Sequence, residues 1–194
     1  MHVGLMLPNV TFKYRIRTDN KPITYVDKTN GDANPFEWQD ITTEDLFKSK
    51  RCVIFSLPGA FTPTCSTMQV PGFENNCSKI KSLGIDNVYV ISVNDTFVMR
   101  KWMIDQGCVN IDFIPDGNGE FTQRMGMLVP KTHLGFGHRS WRYAAVVDDC
   151  VIEHWLEEPG INNHGEDDDP YVNTTPENII RYLKSVNKKH MWEI

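Results

Sequence analysis

The sequence predicts an α/β fold, in which a central mixed β-sheet is flanked by helices. Two continuous apolar runs, 52–57 and 88–93, are each followed by a helical pattern, which is the order of parallel strands joined by helical crossovers. Residues 142–147 and 151–156 are separated by Asp-Asp-Cys alone and therefore predict an antiparallel hairpin. Because 194 residues without an internal repeat or a composition break fit one hydrophobic core, we expect a single domain, 1–194.

The N-terminal extension, 1–40, predicts a β-hairpin. Residues 10–17 alternate apolar and polar side chains, which is the pattern of a half-buried strand, and 23–26 are the candidate partner strand. Residues 29–35 combine Thr, Asn, Gly, Asp and Pro, which are typical of turns, so we expect a surface loop there. The extension is thus a strand pair and a loop that precede the α/β unit.

Capping residues and apolar periodicity predict the positions of the helices. The pattern at 65–83 contains Pro71, which has no N–H to donate and is expected to kink or divide the helix. A short strand is predicted at 111–114, where an apolar run ends in Pro-Asp-Gly. The remaining helices are expected to begin at Thr42 or Thr43, at one of residues 94–96, at Glu120 and in Thr-Thr-Pro-Glu at 174–177.

The charge balance and the apolar pattern argue against two classes of function. Lys and Arg number 20 against 25 Asp and Glu, a net charge of −5, whereas nucleic-acid binders usually carry a basic excess. No apolar run reaches the roughly 18 residues of a membrane-spanning helix, and the N-terminus lacks a basic-then-apolar leader pattern. We therefore expect a cytoplasmic protein with neither nucleic acid nor membrane as a partner.

The acidic loop, 157–173, is the one charge run of the sequence. Its carboxylates lack the alternating spacing of a calcium-binding loop. We therefore expect a solvated loop there rather than a cation site or a partner site.

Five cysteines are scattered over almost a hundred residues, without the CxxC spacing of a dithiol or zinc motif. Their odd number and the lack of a leader pattern argue against a disulfide framework. We expect no metal site, and we expect most of these thiols to be buried as small apolar side chains. The five are Cys52, Cys65, Cys77, Cys108 and Cys150.

Cys65 differs from the other four because of its position. The loop 58–65 leaves the end of a buried strand and carries Cys65 into the first turn of the next helix. Free N–H groups and the positive end of the helix dipole favour a thiolate there. Thr62, three residues earlier, can place its hydroxyl beside the sulfur. The sequence therefore predicts a nucleophilic cysteine.

A helix end alone does not keep a thiol ionised at neutral pH. An ordinary thiol with a pKa near 8.5 is only about 3% ionised at pH 7, and about 90% ionisation needs roughly 3.4 kcal/mol of extra stabilisation. A helix end supplies about 0.3–1 kcal/mol, and up to about 2 kcal/mol in good geometry. A cation must therefore contribute. Arg139 and Arg142, which follow a glycine-containing turn at 135–137, are the candidates, and the alternative for both is a surface salt bridge.

The residues around Cys65 resemble a known family. Pro58-x-x-x-Thr62-x-x-Cys65 is the active-site pattern of peroxiredoxins, and the longer PGAFTPTCS, with VPGF at 70–73, resembles their type II, or peroxiredoxin-5, subfamily. The resemblance covers roughly 40–156 closely and includes bacterial members that are fused to a glutaredoxin domain, although no such domain occurs in these 194 residues. Further matching blocks lie at 92–99, 114–122, 125–129 and 135–143.

This resemblance implies a thioredoxin-like fold and a peroxidase that needs no cofactor beyond an external thiol reductant such as glutathione. It implies that Cys65 is the peroxidatic cysteine, that Thr62 bonds both thiolate and peroxide, and that Pro58 shields the site from water. Arg142 then supports the thiolate and the peroxide oxygens, with Arg139 behind it. Hydrogen peroxide and alkyl hydroperoxides are the expected substrates, and a homodimer is the expected assembly.

The other four cysteines bear on how a sulfenic acid is reduced. A disulfide needs Cα atoms about 4.4–6.8 Å apart. Cys52 is about 20 Å from Cys65 along its strand, and Cys77 is about 18 Å away along a continuous helix. Cys108 and Cys150 are likewise expected at the far ends of their elements. We therefore favour a one-cysteine mechanism with reduction by glutathione and glutaredoxin; the alternative is a Cys65–Cys77 disulfide, reduced by thioredoxin, after local helix opening.

Three other functions compete with peroxidase turnover. A peroxide sensor or holdase would form the Cys65 sulfenic acid without efficient turnover. A thioredoxin-type dithiol oxidoreductase would need a second cysteine at CxxC spacing, which Cys65 lacks. A cysteine hydrolase would need a histidine that is tied to the nucleophile, and no motif supplies one. Four histidines are instead expected at the surface: His133, His138, His154 and His164.

Overall fold

Nine strands and five α-helices form the described part of a computed structural model, residues 2–18, 36–164 and 169–190. A π-helical turn, Cys65–Gln69, precedes the second α-helix, and a 3-10 turn, Thr132–Leu134, follows the sixth strand. The strands are β1 (Thr11–Arg17), β2 (Phe36–Thr42), β3 (Arg51–Ser56), β4 (Asn87–Ser92), β5 (Asp112–Pro115), β6 (Leu128–Pro130), β7 (His138–Ser140), β8 (Tyr143–Asp148) and β9 (Val151–Glu157). The α-helices are α1 (Thr43–Phe47), α2 (Val70–Lys81), α3 (Thr96–Asp105), α4 (Glu120–Arg124) and α5 (Pro176–His190).

The central sheet has five strands in the order β5-β4-β3-β8-β9. Strands β3, β4 and β5 are parallel, whereas β8 and β9 run antiparallel to their neighbours. Helices α2 and α3 are the predicted crossovers, and the predicted hairpin is β8–β9. Its two turn residues, Asp149 and Cys150, have φ angles of 45° and 67°, as a type I′ turn requires. The predicted α/β fold with a mixed sheet and flanking helices is confirmed.

Both faces of the sheet are buried, as the continuous apolar runs predict. Alternate side chains of each strand belong to two different hydrophobic clusters. One cluster, which includes Val53, Phe55 and Val90, is completed by α2, α3 and α5. The other cluster, which includes Ile54 and Ile91, is completed by β1, α1 and α4. Cys65 belongs to the first of these clusters.

The first strand pairs with a strand that the sequence pattern did not predict. Both 23–26, the predicted partner, and 29–35, the predicted loop, lie outside the described residues. Within those residues, β1 pairs along its whole length with β2. Most side chains of β2 are exposed, so the strand has no alternating burial and periodicity missed it. The alternation of β1 is as predicted, because Phe12 and Tyr14 are buried and Lys13 is exposed between them.

The predicted capping residues begin the helices. The Thr42 side chain accepts a hydrogen bond from the Asp45 N–H, and the Asp45 carboxylate accepts from the Thr42 N–H, which makes a capping box at α1. The Asp95 carboxylate accepts from the first N–H groups of α3, and Pro176 is the first residue of α5. Among the described residues, no helix combines the length and the apolar character that a membrane crossing requires.

Truncation of Phe12 tests whether the N-terminal hairpin is part of the core. The Phe12 side chain is 2% exposed, and its ring lies 5.7 Å from that of Phe121 between centroids. We expect Phe12→Ala to lower the free energy of unfolding by about 3–5 kcal/mol, because it removes apolar contacts and leaves a cavity. Lys13→Ala is the matched control, since it removes only an exposed ion pair with Asp40 and should cost at most about 1 kcal/mol. Urea denaturation measures both free energies of unfolding. If Phe12→Ala lowered the free energy of unfolding no more than Lys13→Ala, the hairpin would not contribute to the core.

Candidate active site

The loop after β3 brings Cys65 to the start of a helical segment, as predicted. Pro58 and Gly59 are buried at the carboxyl end of the strand. The Thr62 hydroxyl donates to the Gly59 carbonyl at 2.8 Å, and the Ser66 N–H donates to the Thr62 carbonyl at 3.0 Å. Thr62 therefore closes the loop and begins the first helical turn, and its one hydroxyl proton is directed to Gly59 and not, as the resemblance implied, to Cys65. Its hydroxyl oxygen keeps lone pairs that can accept a further hydrogen bond.

The outer side of the loop 58–65 is defined by a hydrogen bond to Asn94 and by the exposed side chain of Phe61. The Ala60 N–H donates to the Asn94 side chain at 3.0 Å, which ties the loop to the end of β4. Phe61 has a φ angle of 63°, a left-handed conformation that bulky residues rarely adopt. Its ring is 53% exposed and lies 6.5 Å from that of Trp102 between centroids. The loop thus presents an apolar side chain to solvent four residues before the cysteine.

Cys65 lies in the π-helical turn that precedes α2. The Val70 N–H donates to the Cys65 carbonyl, five residues earlier, instead of to the carbonyl four residues earlier. Pro71 follows and has no N–H, and a proline ring collides with the carbonyl four residues before it in a regular α-helix. The wider turn gives that carbonyl room. The helical segment is therefore not broken at Pro71: it changes from π to α geometry between Gln69 and Val70, and α2 continues with Pro71 in its first turn. π turns of this kind are frequent at functional sites.

A buried guanidinium faces the Cys65 sulfur. Nη1 of Arg142 lies 3.5 Å from Sγ, and both side chains are buried, Cys65 fully and Arg142 to within 2%. Arg142 immediately precedes β8, whose first residues pair with the end of β3, so the sheet itself brings the two groups together. Burial disfavours the charged guanidinium, but the Cys65 sulfur and the Asp169 carboxylate outweigh it and raise the pKa of Arg142.

Four further groups hold the Arg142 guanidinium. Nη1 donates to the Gln69 side-chain oxygen, Nη2 donates to the Asp169 carboxylate, and Nε donates to the Pro170 carbonyl at 3.0 Å. The ring of Tyr171 lies 5.5 Å from the guanidinium carbon. The cation is thus enclosed by the helix that carries the cysteine on one side and by the segment before α5 on the other.

Gln69 is a site residue that the sequence reasoning missed. Its amide nitrogen donates to the Ser56 carbonyl at 3.2 Å, which fixes the oxygen that faces Arg142. It follows Cys65 by four residues, a spacing at which helical side chains are neighbours, and this spacing is the signal that could have revealed it. Asp169 was also missed, because it lies 27 residues after Arg142 and no local pattern connects the two.

Arg139 makes its described contacts elsewhere. Its Nη1 donates to the Val93 carbonyl at 2.7 Å, just after β4, and its Nε donates to the Phe136 carbonyl at 3.0 Å. Burial lowers the pKa of Arg139. This arginine therefore braces the end of β4 next to the active-site loop, whereas Arg142 is the arginine that reaches the sulfur. Neither arginine is the simple surface salt bridge of the alternative interpretation.

The acidic loop is exposed over most of 159–164, as predicted, but the carboxylates of Glu158 and Asp169 have specific partners, which was not predicted. Glu158 is fully buried, and its carboxylate accepts hydrogen bonds from the N–H groups of residues 172–174 at 2.8–3.0 Å. Asp169 binds Arg142, as described above. Charge spacing in the sequence could not show this, because the donors of both carboxylates come from residues that are distant along the chain. Residues 165–168 of the loop lie outside the described part of the chain.

The other four cysteines are neutral thiols in apolar surroundings. Burial raises the pKa of Cys52 to about 11 and that of Cys108 to about 12. Burial also raises the pKa of Cys77 and of Cys150. All five cysteines are free thiols. Packing is therefore the role that these four environments support.

The four histidines are the remaining candidates for metal ligands or general bases. His133, His138 and His164 are exposed, as expected, whereas His154 is half-buried and stacks on Tyr182 at 3.7 Å between ring centroids. Burial lowers the pKa of His154. In the part of the chain that the structure describes, no three His, Cys, Asp or Glu side chains are grouped so as to hold a metal ion.

Comparisons with known proteins agree on one family. Residues 20–173 match the Redoxin family. The peroxiredoxin of Rhizobium etli is 50% identical over 185 residues, which cover 95% of this chain and 98% of that protein. The hybrid peroxiredoxin hyPrx5 of Haemophilus influenzae is 44% identical over 180 residues, 93% of this chain and 65% of that protein. The crystal structure of the Plasmodium falciparum antioxidant protein, a 1-Cys peroxiredoxin, has 35% identity and a TM-score of 0.81, covering 94% of this chain and 99% of that one.

The variant Cys52→Ala tests whether burial holds a thiol neutral. Because burial raises the pKa of Cys52 from 9.0 to about 11, the thiol stabilises the fold below about pH 9, and this contribution is lost as the pH rises through 11. We expect the difference in free energy of unfolding between wild type and Cys52→Ala to shrink between about pH 8 and about pH 11. Every other titrating group is common to both proteins and cancels. Urea denaturation at each pH gives the difference, and a constant difference would contradict the assignment.

Proposed function

The chain belongs to the peroxiredoxin family, and from this premise we propose that it reduces hydrogen peroxide and alkyl hydroperoxides through a sulfenic acid on Cys65. Peroxiredoxins are peroxidases that need no prosthetic group and use a thiol reductant. The resemblance to the peroxiredoxin-5 subfamily and the thioredoxin-like fold that it implied are confirmed. The observation that carries the residue assignment is the distance of 3.5 Å between the Cys65 sulfur and the buried guanidinium of Arg142.

Two features of the site favour a thiolate. The first is the guanidinium, which is itself shielded from water, so its attraction for a negative sulfur is stronger than it would be at the surface. The second is the position of Cys65 at the start of a helical segment, where N–H groups and the helix dipole favour negative charge. The guanidinium thus supplies the cation that a helix end alone lacks, and the helix start supplies the N–H groups.

The proposed reaction transfers one oxygen from the peroxide to sulfur. The Cys65 thiolate attacks the terminal peroxide oxygen, an S–O bond forms, and the O–O bond breaks. Sulfur is oxidised by two electrons to the sulfenic acid, and the other oxygen leaves with the electron pair of the broken bond and is protonated to water or an alcohol. Negative charge moves from sulfur to the leaving oxygen, and the Nη1–H of Arg142 is positioned to follow it.

Thr62 and Pro58 have supporting roles in this proposal. The Thr62 hydroxyl donates to Gly59, which leaves its oxygen able to accept a hydrogen bond from a peroxide O–H. Pro58 is buried at the end of β3 and has no N–H to attract water. Phe61 adds exposed apolar surface beside the site, which suits the alkyl group of an organic peroxide.

The surroundings of the other thiols support a one-cysteine mechanism. Cys77 is buried on α2 and donates to the Asn110 carbonyl at 3.3 Å, so a disulfide with the peroxidatic sulfur would require the helix to open. Cys52 and Cys150 belong to the cluster on the other face of the sheet. The similar Plasmodium falciparum protein is itself described as a 1-Cys peroxiredoxin. We therefore favour reduction of the sulfenic acid by glutathione and glutaredoxin. Membership of the family is our reason for proposing a homodimer, and the bacterial relatives are our reason for proposing a cytoplasmic location.

Treatment with one equivalent of hydrogen peroxide tests the assignment of Cys65. We expect a sulfenic acid on Cys65 alone, and a mixed disulfide at the same residue when glutathione is added, because burial raises the pKa of each of the other four thiols and keeps them protonated. Intact mass and peptide mapping identify the product. Cys65→Ser should abolish peroxide consumption, whereas the matched control Cys52→Ser should retain it. Full activity of Cys65→Ser would refute the proposal.

The variant Cys77→Ser separates the one-cysteine mechanism from its alternatives. Turnover with glutathione and glutaredoxin should be unchanged, because the sulfenic acid is reduced by an external thiol. A stoichiometric Cys65–Cys77 disulfide in the wild type, together with thioredoxin-dependent turnover that Cys77→Ser loses, would establish the two-cysteine alternative. Consumption of a single equivalent of peroxide with every reductant would instead indicate a sensor.

A further inference from the structure

The Arg142 guanidinium is bound from the outside by the return segment, which we define as residues 169–174, between the acidic loop and α5. We propose that Asp169 in this segment is a positioning residue for peroxide reduction, which acts through Arg142. The inference rests on the proposed roles of Cys65 and Arg142. Asp169 is bonded to Nη2 of Arg142, whereas it is Nη1 of the same guanidinium that faces the Cys65 sulfur.

The hydrogen bonds of the guanidinium carry this inference. Nε and Nη2 are directed to the Pro170 carbonyl and the Asp169 carboxylate, and only Nη1 is directed to the Cys65 sulfur and to Gln69. A guanidinium is a rigid planar fork, so holding two of its nitrogens fixes the direction of the third. The return segment therefore acts together with Gln69 to set the direction of the Nη1–H that faces Cys65.

The return segment is itself firmly held in place. The buried Glu158 carboxylate accepts hydrogen bonds from the Val172, Asn173 and Thr174 N–H groups and from the Thr174 hydroxyl. Asp169 has a φ angle of 48°, in the left-handed region, which aspartate and asparagine tolerate better than most residues. The carboxylate of Asp169 is thus presented to Arg142 by an anchored backbone.

The hydrogen bond from Arg142 to Asp169 and the negative charge of Asp169 are expected to have opposite effects on the reaction. The Asp169 side chain is 41% exposed, whereas that of Arg142 is 2% exposed, so the carboxylate is partly screened by water and the cation is not. A negative Asp169 also competes with the thiolate for the same positive charge. The benefit of Asp169 is therefore its hydrogen bond. An asparagine, which can still accept from Nη2, should preserve that benefit, whereas a residue without a side chain should not.

Asp169→Gly and Asp169→Asn are the informative variants. Glycine removes the side chain and adopts the left-handed backbone without steric cost, so backbone strain does not confuse the result. We expect Asp169→Gly to lower the second-order rate constant for hydrogen peroxide about tenfold, as for the loss of one hydrogen bond to a charged group. Asp169→Asn should stay within about threefold of wild type. Stopped-flow tryptophan fluorescence measures the rate, since Trp102 donates to Ser66 next to Cys65.

The chain offers a matched control in Asp149. This aspartate also has a left-handed backbone, with φ of 45°, and its carboxylate accepts from the Ser49 N–H at 2.7 Å, in the turn at the other end of β8. Asp149→Gly should leave the rate constant unchanged. A loss equal to that of Asp169→Gly would show a general effect on the fold and would overturn the inference.

A double-mutant cycle with Arg142→Lys distinguishes positioning from a structural role. Lysine has no fork to orient, so Asp169→Gly should have no further effect on the rate in that background. Equal effects in both backgrounds, or a rate for Asp169→Gly equal to wild type, would overturn the inference and leave the proposed function intact. The proposed function fails separately, if Arg142→Lys and Cys65→Ser both react with peroxide as wild type does.

Discussion

The burial of the Arg142 guanidinium is the constraint on which the rest of the site depends. A charged group that is removed from water costs several kcal/mol unless it meets opposite charge and its donors find acceptors. In this chain the acceptors come from two separate elements, Gln69 on the helix that carries Cys65 and Asp169 with Pro170 in the return segment. One side chain therefore holds together two segments that make no secondary structure with each other.

The same burial gives Cys65 surroundings that differ from those of the other four thiols. In apolar surroundings burial favours the neutral form of a thiol, and this is why the pKa of Cys52 and the pKa of Cys108 are raised. Near a cation that is equally shielded from water, the low dielectric strengthens the attraction instead. The position of a sulfur relative to Arg142, and not its exposure, is therefore what distinguishes Cys65 from the other thiols.

Local rules predicted most of the fold but not the choice between the two arginines. The apolar runs and the capping residues identified β3, β4 and α1, because their signals lie within a few residues. Strand β2 has exposed side chains and therefore no such signal. Arg139 and Arg142 are three residues apart, yet Arg139 belongs to β7, which pairs with β6, whereas Arg142 leads into β8 of the central sheet. The two arginines therefore differ in how their strands pair, and the positions of residues along the sequence do not predict that pairing.

The charge composition of the acidic loop did not predict the hydrogen-bond partners of its carboxylates. Its composition is that of a solvated charge run, but the carboxylates of Glu158 and Asp169 have specific partners. Glu158 is also joined to the site through its backbone, because its N–H donates to the Arg142 carbonyl at 3.1 Å. The residue that anchors the return segment is thus bonded to the arginine that the segment orients. Both described ends of the loop, at Glu158 and at Asp169, are therefore hydrogen-bonded to Arg142, one to its backbone and the other to its guanidinium.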